Sequence, residues 1–292
     1  MTAAALVSDR PRIEGSQSSF GSFDAQGPRL VLVGGWGPLF ELLSGQRRLE
    51  SGNVLVAGVH AASAVRSGQV GLMLADAPLP PAWTLSDALL ESACLMGHAS
   101  RAGRRIALDH AEALGITALL PRVVSRLAVH ERRAAAVAAA SLGDPLLLAL
   151  ERPFAGLEPS TRGYVRAVIE RASRGRASLI SVDAVSEDVA EDELVRAADE
   201  ILFLGASGLI ARGRHADLIA AARTYRVIVL RQAERLLERL VSAGYEARAV
   251  AAVPAGALVV SDPAGLGTTP LLRAALEVDA PLVELSPLLG PG

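Results

Sequence analysis

Lysine is absent from this chain of 292 residues, and all 29 of its basic residues are arginines. A motif that requires lysine at a defined position therefore cannot be complete anywhere in the sequence. The single cysteine, Cys94, excludes an internal disulfide and is typical of a reducing compartment. Only 3% of the residues are aromatic, so the core has to be built from leucine, valine, isoleucine and alanine.

Charge and hydropathy argue against a nucleic-acid-binding protein and against a membrane-spanning or secreted one. The net charge of -2 gives no electrostatic reason to expect a nucleic-acid partner. The N-terminus lacks the basic start and long apolar core of a signal peptide. The most apolar stretch, Ala134–Leu150, is interrupted by Asp144 and Pro145 and falls short of a membrane span. We therefore expect a cytoplasmic chain that meets the membrane only through a partner.

Short apolar runs alternate with helical patterns along most of the chain, which predicts α/β architecture. Arg29–Val33 and Leu146–Leu150 are predicted to be strands, the second of them buried on both faces of a parallel sheet. Apolar residues at helical spacing predict a helical subdomain over about 86–130. The pattern assigns no element firmly to residues 1–27.

A second, shorter cycle of elements follows residue 222. Its predicted order over residues 223–292 is β-α-β-β-α-β, which suggests a small α+β domain of the ferredoxin-like type. The sequence therefore predicts two domains, 1–222 and 223–292.

The most informative stretch is Leu127–Pro159, which reads LAVHERRAAAVAAASLGDPLLLALERPFAGLEP. It resembles, without a gap, the segment of ABC transporter ATPases that runs from the signature motif through Walker B to the D-loop. The resemblance extends over about residues 28–286, and the small C-terminal domain looks like that of ATPases serving ABC-2-type exporters. The resemblance implies an ABC-ATPase-like, P-loop NTPase-like core with a helical subdomain.

Positions at which this family binds and cleaves ATP carry other residues here. A working phosphate loop needs glycines, a lysine and a serine or threonine, whereas Gly34, Gly35 and Gly37 run directly into Pro38. By resemblance, Ala75 is at the Q-loop position, and Ala128 and Val129 are in the signature. Glu151 is at the Walker B position and Arg152 at the position of the catalytic residue. Glu158 is in the D-loop and Val182 in the H-loop. These departures predict no nucleotide turnover, no cofactor and no metal site.

Three other interpretations of the same residues are weaker. The Gly34–Gly37 stretch lacks the third glycine of a dinucleotide fingerprint and is better explained as a turn. Glu151 and Arg152 have no nucleophile or metal ligand beside them, so an ion pair is favoured over catalysis. Cys94 and His98 lie one helical turn apart without a second ligand pair, which favours helix packing over metal binding.

We expect a non-catalytic subunit of an ABC-type transport complex, acting as scaffold or regulator at the cytoplasmic face of the inner membrane. Its expected partners are an integral membrane permease and a second ABC ATPase subunit, in a homodimer or heterodimer. Leu79, Trp83 and Leu85 are the candidates for contact with the permease. The sequence does not separate this role from that of a soluble adaptor that has left transport. An active NTPase is disfavoured by the missing lysine.

Overall fold

The computed structural model divides the chain into two compact units, residues 1–212 and 213–292. The residues that it describes are 5–14, 20, 22–56, 58–76, 79–182, 189–205, 208–222, 224–249, 256–262, 264 and 266–287. Within these ranges, no helix has both the length and the apolar character that a membrane span requires.

Within the residues that the structure describes, the first unit contains two sheets and seven α-helices. In chain order its elements are β1 (Ala5–Ile13), β2 (Phe23–Gln26), β3 (Arg29–Gly34), α1 (Gly37–Ser44), β4 (Leu49–Val56), β5 (Val59–His60), α2 (Ala61–Ala64), β6 (Val70–Met73), α3 (Leu85–Leu95), α4 (Ser100–Leu114), α5 (Val129–Ser141), β7 (Leu147–Glu151), α6 (Pro159–Ala172), β8 (Ala177–Val182), α7 (Val189–Arg196), β9 (Glu200–Gly205) and β10 (Gly208–Gly213). Short 3₁₀ turns at Thr117–Leu119 and Val124–Arg126 connect α4 to α5.

The larger sheet has the strand order β10-β9-β3-β8-β7-β6. Strand β3 pairs in parallel with β8 and β9, and β7 pairs in parallel with β6 and β8. The smaller sheet has the order β2-β1-β4-β5, and its pairs are antiparallel. These strands β1 and β2 lie in the N-terminal stretch to which the sequence pattern assigned no element.

Strand β7 separates two apolar cores because its side chains point alternately to opposite faces of the sheet. Leu148 and Leu150 belong to a core that includes residues of α3 to α6. Leu147 and Ala149 belong to a second core that includes α1 and the smaller sheet. The continuous apolar run in the sequence is therefore explained by burial on both faces, as predicted.

Helix α5 lies unusually close to the edge strand β6. Its buried face is formed by alanines, among them Ala134, Ala135 and Ala138. An added side chain at Gly71 of β6 would overlap the carbonyl oxygen of Ala140, so glycine is required by the close approach of the two backbones.

The second unit is a four-stranded antiparallel sheet with helices. Its elements are α8 (His215–Ala222), β11 (Thr224–Val229), α9 (Ala233–Ser242), β12 (Glu246–Ala249), β13 (Ala257–Ser261), α10 (Thr268–Glu277) and β14 (Leu282–Pro287), with the strand order β12-β13-β11-β14. Leu236 and Leu240 of α9 and Leu271 of α10 pack with Val227 and Val260 of the sheet. After α8 the order of elements is β-α-β-β-α-β. The sequence predicted a domain boundary between residues 222 and 223, whereas the structure divides the chain between residues 212 and 213, so α8 belongs to the second unit.

His110 joins α4 to α5 inside the first unit. Its Nε2 lies 3.1 Å from the carbonyl oxygen of Ala138 and 3.0 Å from Oγ of Ser141. Burial lowers the pKa of His110 below its usual value of 6.5, and the positive charge of Arg176 acts in the same direction, against the bond to Ala138 and the charge of Asp144. The folded protein therefore favours the neutral imidazole.

This preference predicts a pH dependence of stability. Because the pKa is lower in the folded chain than in the unfolded chain, the unfolded chain binds more protons below about pH 6.5. The free energy of unfolding should therefore fall as the pH drops from 7 to 5, and a His110→Gln variant should lose less over the same range. Urea denaturation of both proteins measures the difference; identical pH profiles would contradict the assignment.

Candidate functional site

A glycine-rich turn follows the central strand β3. Gly34 has a φ of +99°, and a side chain there would overlap the carbonyl oxygen of Leu204. Gly35 is open, since an ideal Cβ at that position meets no atom within 4 Å. Only glycine fits the first position, whereas the second leaves backbone accessible to a ligand.

Trp36 anchors this turn by packing its side chain into the core. Its side chain is 0% exposed, and its Nε1–H donates to the carbonyl oxygen of Val33 at 3.0 Å. The indole stacks on Phe20 with ring centroids 5.1 Å apart and meets Phe23 edge-on at 6.0 Å. The turn is therefore held by buried aromatic packing, which makes its geometry rigid.

Helix α1 begins directly after the turn, at Gly37. No side chain caps its N-terminus, and Pro38 occupies the first turn. The carboxylate of Glu151, at the end of β7, lies beside this helix start: its Oε1 is 4.0 Å from an ideal Cβ on Gly37. A negative charge is favourable here because the N-terminus of a helix carries a partial positive charge.

Glu151 also contacts the turn that follows β6. Its Oε2 accepts a hydrogen bond from the backbone N–H of Ala75 at 3.0 Å. The carbonyl oxygen of the same Ala75 accepts from Nη1 of Arg133, and Nη2 of Arg133 donates to the carbonyl oxygen of Ala155 at 3.2 Å. One arginine of α5 thus binds the turns that follow two neighbouring strands.

Charges of both signs surround this arginine. Burial lowers the pKa of the Arg133 guanidinium, and the charges of Arg152 and Arg132 lower it further, while Asp76 and Glu151 oppose them. Arg152 follows Glu151 with a φ of +45°. Its backbone N–H donates to the carbonyl oxygen and the Oγ of Ser181, at 3.1 and 3.0 Å. The guanidinium of an arginine remains charged under these conditions.

A cleft of about 590 Å³ lies beside these groups. We call it the α5 cleft, and its lining includes Ala75, Leu79, Val129, Arg132, Arg133 and Gly156. Val129 begins α5, and the preceding Ala128 donates its N–H to Oε2 of Glu131 at 2.7 Å.

The structure brings together most, but not all, of the residues that the sequence singled out. Gly37, Ala75 and Glu151 converge at the carboxyl ends of β3, β6 and β7. Val182 ends β8 and is buried, and Asp183 after it lies outside the described residues. Glu158 lies elsewhere along the chain, at the start of α6.

Of the three predicted permease contacts, Leu85 is fully buried in the core, so it is unavailable to a partner without unfolding. This prediction was wrong for Leu85 because the residue begins α3 on the helix face that packs inward. Leu79 is partly exposed and lines the α5 cleft, and Trp83 is 41% exposed just before α3.

Sequence reasoning missed Arg133. Its contacts are carbonyl oxygens of Ala75 and Ala155, which have no sequence signature. The one available signal was a pair of charged residues, Arg132–Arg133, at the start of a helix whose later residues are nearly all alanine. Among the residues that the structure describes, no group of three acidic, histidine or cysteine side chains is arranged to hold a metal.

Comparison with known proteins finds relatives of part of this chain, although no protein-family model matches it. The chain is 33% identical over 121 residues to the molybdenum import ATP-binding protein ModC of Pseudomonas syringae pv. tomato, covering 41% of this chain and 32% of that protein. It is 37% identical over 105 residues to ModC of Brucella abortus, covering 36% and 28%. It is 32% identical over 120 residues to ModC of Aromatoleum aromaticum, covering 41% and 31%. The matches thus span about a third of these relatives.

These relatives support an ABC ATP-binding protein and correct one expectation. The prediction that the chain is an inactive ATPase homologue is contradicted, because the relatives are named as ATP-binding proteins of importers. That prediction rested on the missing lysine of the phosphate loop together with the residues at the signature, Walker B, catalytic and H-loop positions, and the names of the relatives count against it. The relatives are importers, so the likeness to ABC-2-type exporter ATPases stays a prediction.

The packing of the glycine-rich turn predicts the effect of removing its indole. Trp36→Ala should lower the free energy of unfolding by about 3–5 kcal/mol, because it leaves a cavity and removes the hydrogen bond from the indole to the carbonyl oxygen of Val33. Trp83→Ala, at an exposed position, is the matched control and should change it by less than about 1 kcal/mol. Urea denaturation followed by circular dichroism compares the two; equal losses would contradict the role given to Trp36.

Proposed function

We propose that this chain is the ATP-binding subunit of an ABC-type transport complex and acts with a membrane permease. The observation that carries the proposal is the 32–37% identity to ATP-binding proteins of molybdenum importers over 105–121 residues. The geometry adds a location for the nucleotide. The turn at Gly34–Gly37, the start of α1 and Glu151 lie at the carboxyl ends of parallel strands, where α/β sheets bind their ligands.

In this proposal the phosphates approach the open backbone at Gly35 and the uncapped start of α1. The N–H groups of Gly35 and Gly37 are the proposed donors to the anion, since Pro38 has no N–H and the N–H of Leu39 donates to the carbonyl oxygen of Trp36. The helix adds a partial positive charge. Because the chain has no lysine, Arg152, which directly follows Glu151, is the proposed source of the positive charge that lysine supplies in the usual motif. Glu151 supplies a carboxylate oxygen of the kind that accompanies Mg²⁺ bound mainly by phosphates and water.

Binding and hydrolysis of Mg·ATP by the purified chain test the proposal directly. We expect saturable binding in calorimetric titration and phosphate release in steady state or on assembly with a permease. A chain that neither binds Mg·ATP alone nor hydrolyses it in the assembled complex would refute the proposal.

Gly35→Val tests the location of the phosphates. The position is open and its φ lies outside the left-handed region, so valine fits the fold but covers the backbone N–H groups. We expect affinity for Mg·ATP to fall about tenfold or more, since charge-assisted hydrogen bonds are lost. Gly163→Val, at an equally open position on α6, is the matched control and should bind as the unmodified chain does. Equal affinities in both variants would place the phosphates elsewhere.

A permease contact is proposed at a groove of about 880 Å³ beside the edge strand β6. We call it the β6 groove; Gly71, Leu74, Leu79, Leu95, Met96 and Ala139 are among the residues that line it. Leu95 and Met96 are adjacent in the chain, line the same groove and are 81% and 50% exposed, which supports a contact with a partner at this place. The proposed occupant is a short cytoplasmic helix of the permease, whose apolar face would lie in the groove.

Leu95→Asp should reduce binding to a permease without affecting folding, because the side chain is already exposed. Sedimentation with native inner-membrane vesicles measures the bound fraction, and we expect a loss of about tenfold in affinity. Leu276→Asp, at a position 82% exposed in the second unit, is the control. Binding to protein-free liposomes, or equal losses in both variants, would contradict docking at the β6 groove. Trp83→Ala tests the sequence-derived contact in the same assay.

The remaining features of the proposal concern assembly. ABC-type ATP-binding subunits work in pairs, so we propose a homodimer or heterodimer held at the cytoplasmic face of the inner membrane by the permease. We further propose that residues 223–292 form a ferredoxin-like domain. The supporting observation is a β-α-β-β-α-β order with the antiparallel strand order β12-β13-β11-β14.

A further inference from the structure

Arg133 reaches from α5 to two turns that are remote in sequence. Its Nη1 donates to the carbonyl oxygen of Ala75 after β6, and its Nη2 donates to that of Ala155 after β7, at 3.2 Å. Its Nε is buried with no hydrogen-bond partner in the described part of the chain. The planar fork of an arginine suits two such acceptors, which the single ammonium group of a lysine does not match in geometry.

The two peptide groups that flank Ala75 are bound by side chains of opposite charge. The N–H of Ala75 donates to the Glu151 carboxylate at 3.0 Å, and its carbonyl oxygen accepts from the Arg133 guanidinium. Hydrogen bonds to charged groups are stronger than those between neutral groups. Both bonds act on one residue of the turn, so together they restrict its backbone more than either bond alone.

The contacts of Arg133 distinguish it from an arginine that only stabilises the fold through an ion pair. Its hydrogen bonds described above go to main-chain oxygens of two turns, both of which line the α5 cleft. Burial and the neighbouring charges of Arg152 and Arg132 disfavour its charged form, as the lowered pKa of Arg133 indicates. A buried cation in this setting is tolerated because both carbonyl bonds compensate the lost hydration.

We propose that Arg133 is a positioning residue for the candidate nucleotide site. It holds the turn at Ala75 so that the N–H of Ala75 orients the Glu151 carboxylate beside the start of α1. Arg133 touches neither the phosphates nor Mg²⁺ and acts through Ala75 on Glu151. This inference rests on the proposed ATP-binding function, since it assigns Glu151 to the metal-bound nucleotide.

The first experiment needs no nucleotide. Hydrogen–deuterium exchange of the full chain reports the protection of the Ala75 N–H and of the turn at Ala155. Arg133→Met should raise exchange at Ala75 about tenfold or more, because the turn loses a charge-assisted bond. Arg132→Met is the matched control: this neighbouring arginine is exposed and donates to the carbonyl oxygen of Leu127 at 3.1 Å. Unchanged protection in Arg133→Met, or an equal change in Arg132→Met, would overturn the proposal.

Arg133→Lys keeps the positive charge but removes the planar guanidinium that donates to both carbonyl oxygens. This variant replaces Arg133→Met in the experiment if the methionine variant does not fold. We expect exchange at Ala75 to rise in Arg133→Lys as well, by less than in Arg133→Met. Full protection in the lysine variant would overturn the requirement for a bidentate contact.

The second experiment separates positioning from a general loss of structure. Calorimetric titration of Arg133→Met should give an affinity for Mg·ATP about tenfold weaker, with affinity for ATP in EDTA unchanged, because the effect passes through Glu151 to the metal. An equal loss with and without Mg²⁺ would overturn the proposal. If the unmodified chain binds no nucleotide, the proposed function fails, and the exchange measurement alone decides whether Arg133 fixes the turn.

Discussion

Parallel pairing of β3, β8, β7 and β6 is the constraint on which the candidate site depends. The register matches Val33 with Val182, Ser181 with Glu151, and Leu150 with Met73, so the four strands end almost level with one another. The residues that follow these strands therefore lie at one edge of the sheet, although some of them, such as Gly37 and Glu151, are more than a hundred residues apart in sequence. Glu151 and the start of α1 meet for this reason, and the Arg133 contacts form at the same edge.

The sequence predicts the parts of this arrangement that depend on neighbouring residues and not the parts that depend on residues far apart in the chain. Strands β3 and β7 were predictable because burial on both faces leaves continuous apolar runs such as Leu147–Leu150, although Leu146, which the prediction included, precedes β7 and is 63% exposed. Strand β1 was not, since its residues 5–13 include Asp9, Arg10 and Pro11 and its partner β4 begins at residue 49. Antiparallel pairing over such a distance is a tertiary property that no local pattern encodes.

The site was predictable where side-chain identity defines it and hidden where backbone atoms do. Gly34, Gly37 and Glu151 were singled out because they lie at the phosphate-loop and Walker B positions of the family that the sequence resembles, although they were interpreted there as degenerate. Arg133 was missed because it binds carbonyl oxygens, which every residue carries.

Gly71 has a mechanical consequence for the first unit. Because the Ala140 carbonyl lies where a side chain of β6 would stand, α5 rests against the edge strand with almost no layer of side chains between them. Sliding or rotating α5 along β6 would drive one backbone into the other. The helix is thus a rigid extension of the sheet, and the α3–α4 pair is the part with a deformable, side-chain-lined boundary. Arg133, near the start of α5, is therefore held at a fixed height above the strands by the backbone contact at the other end of the same helix.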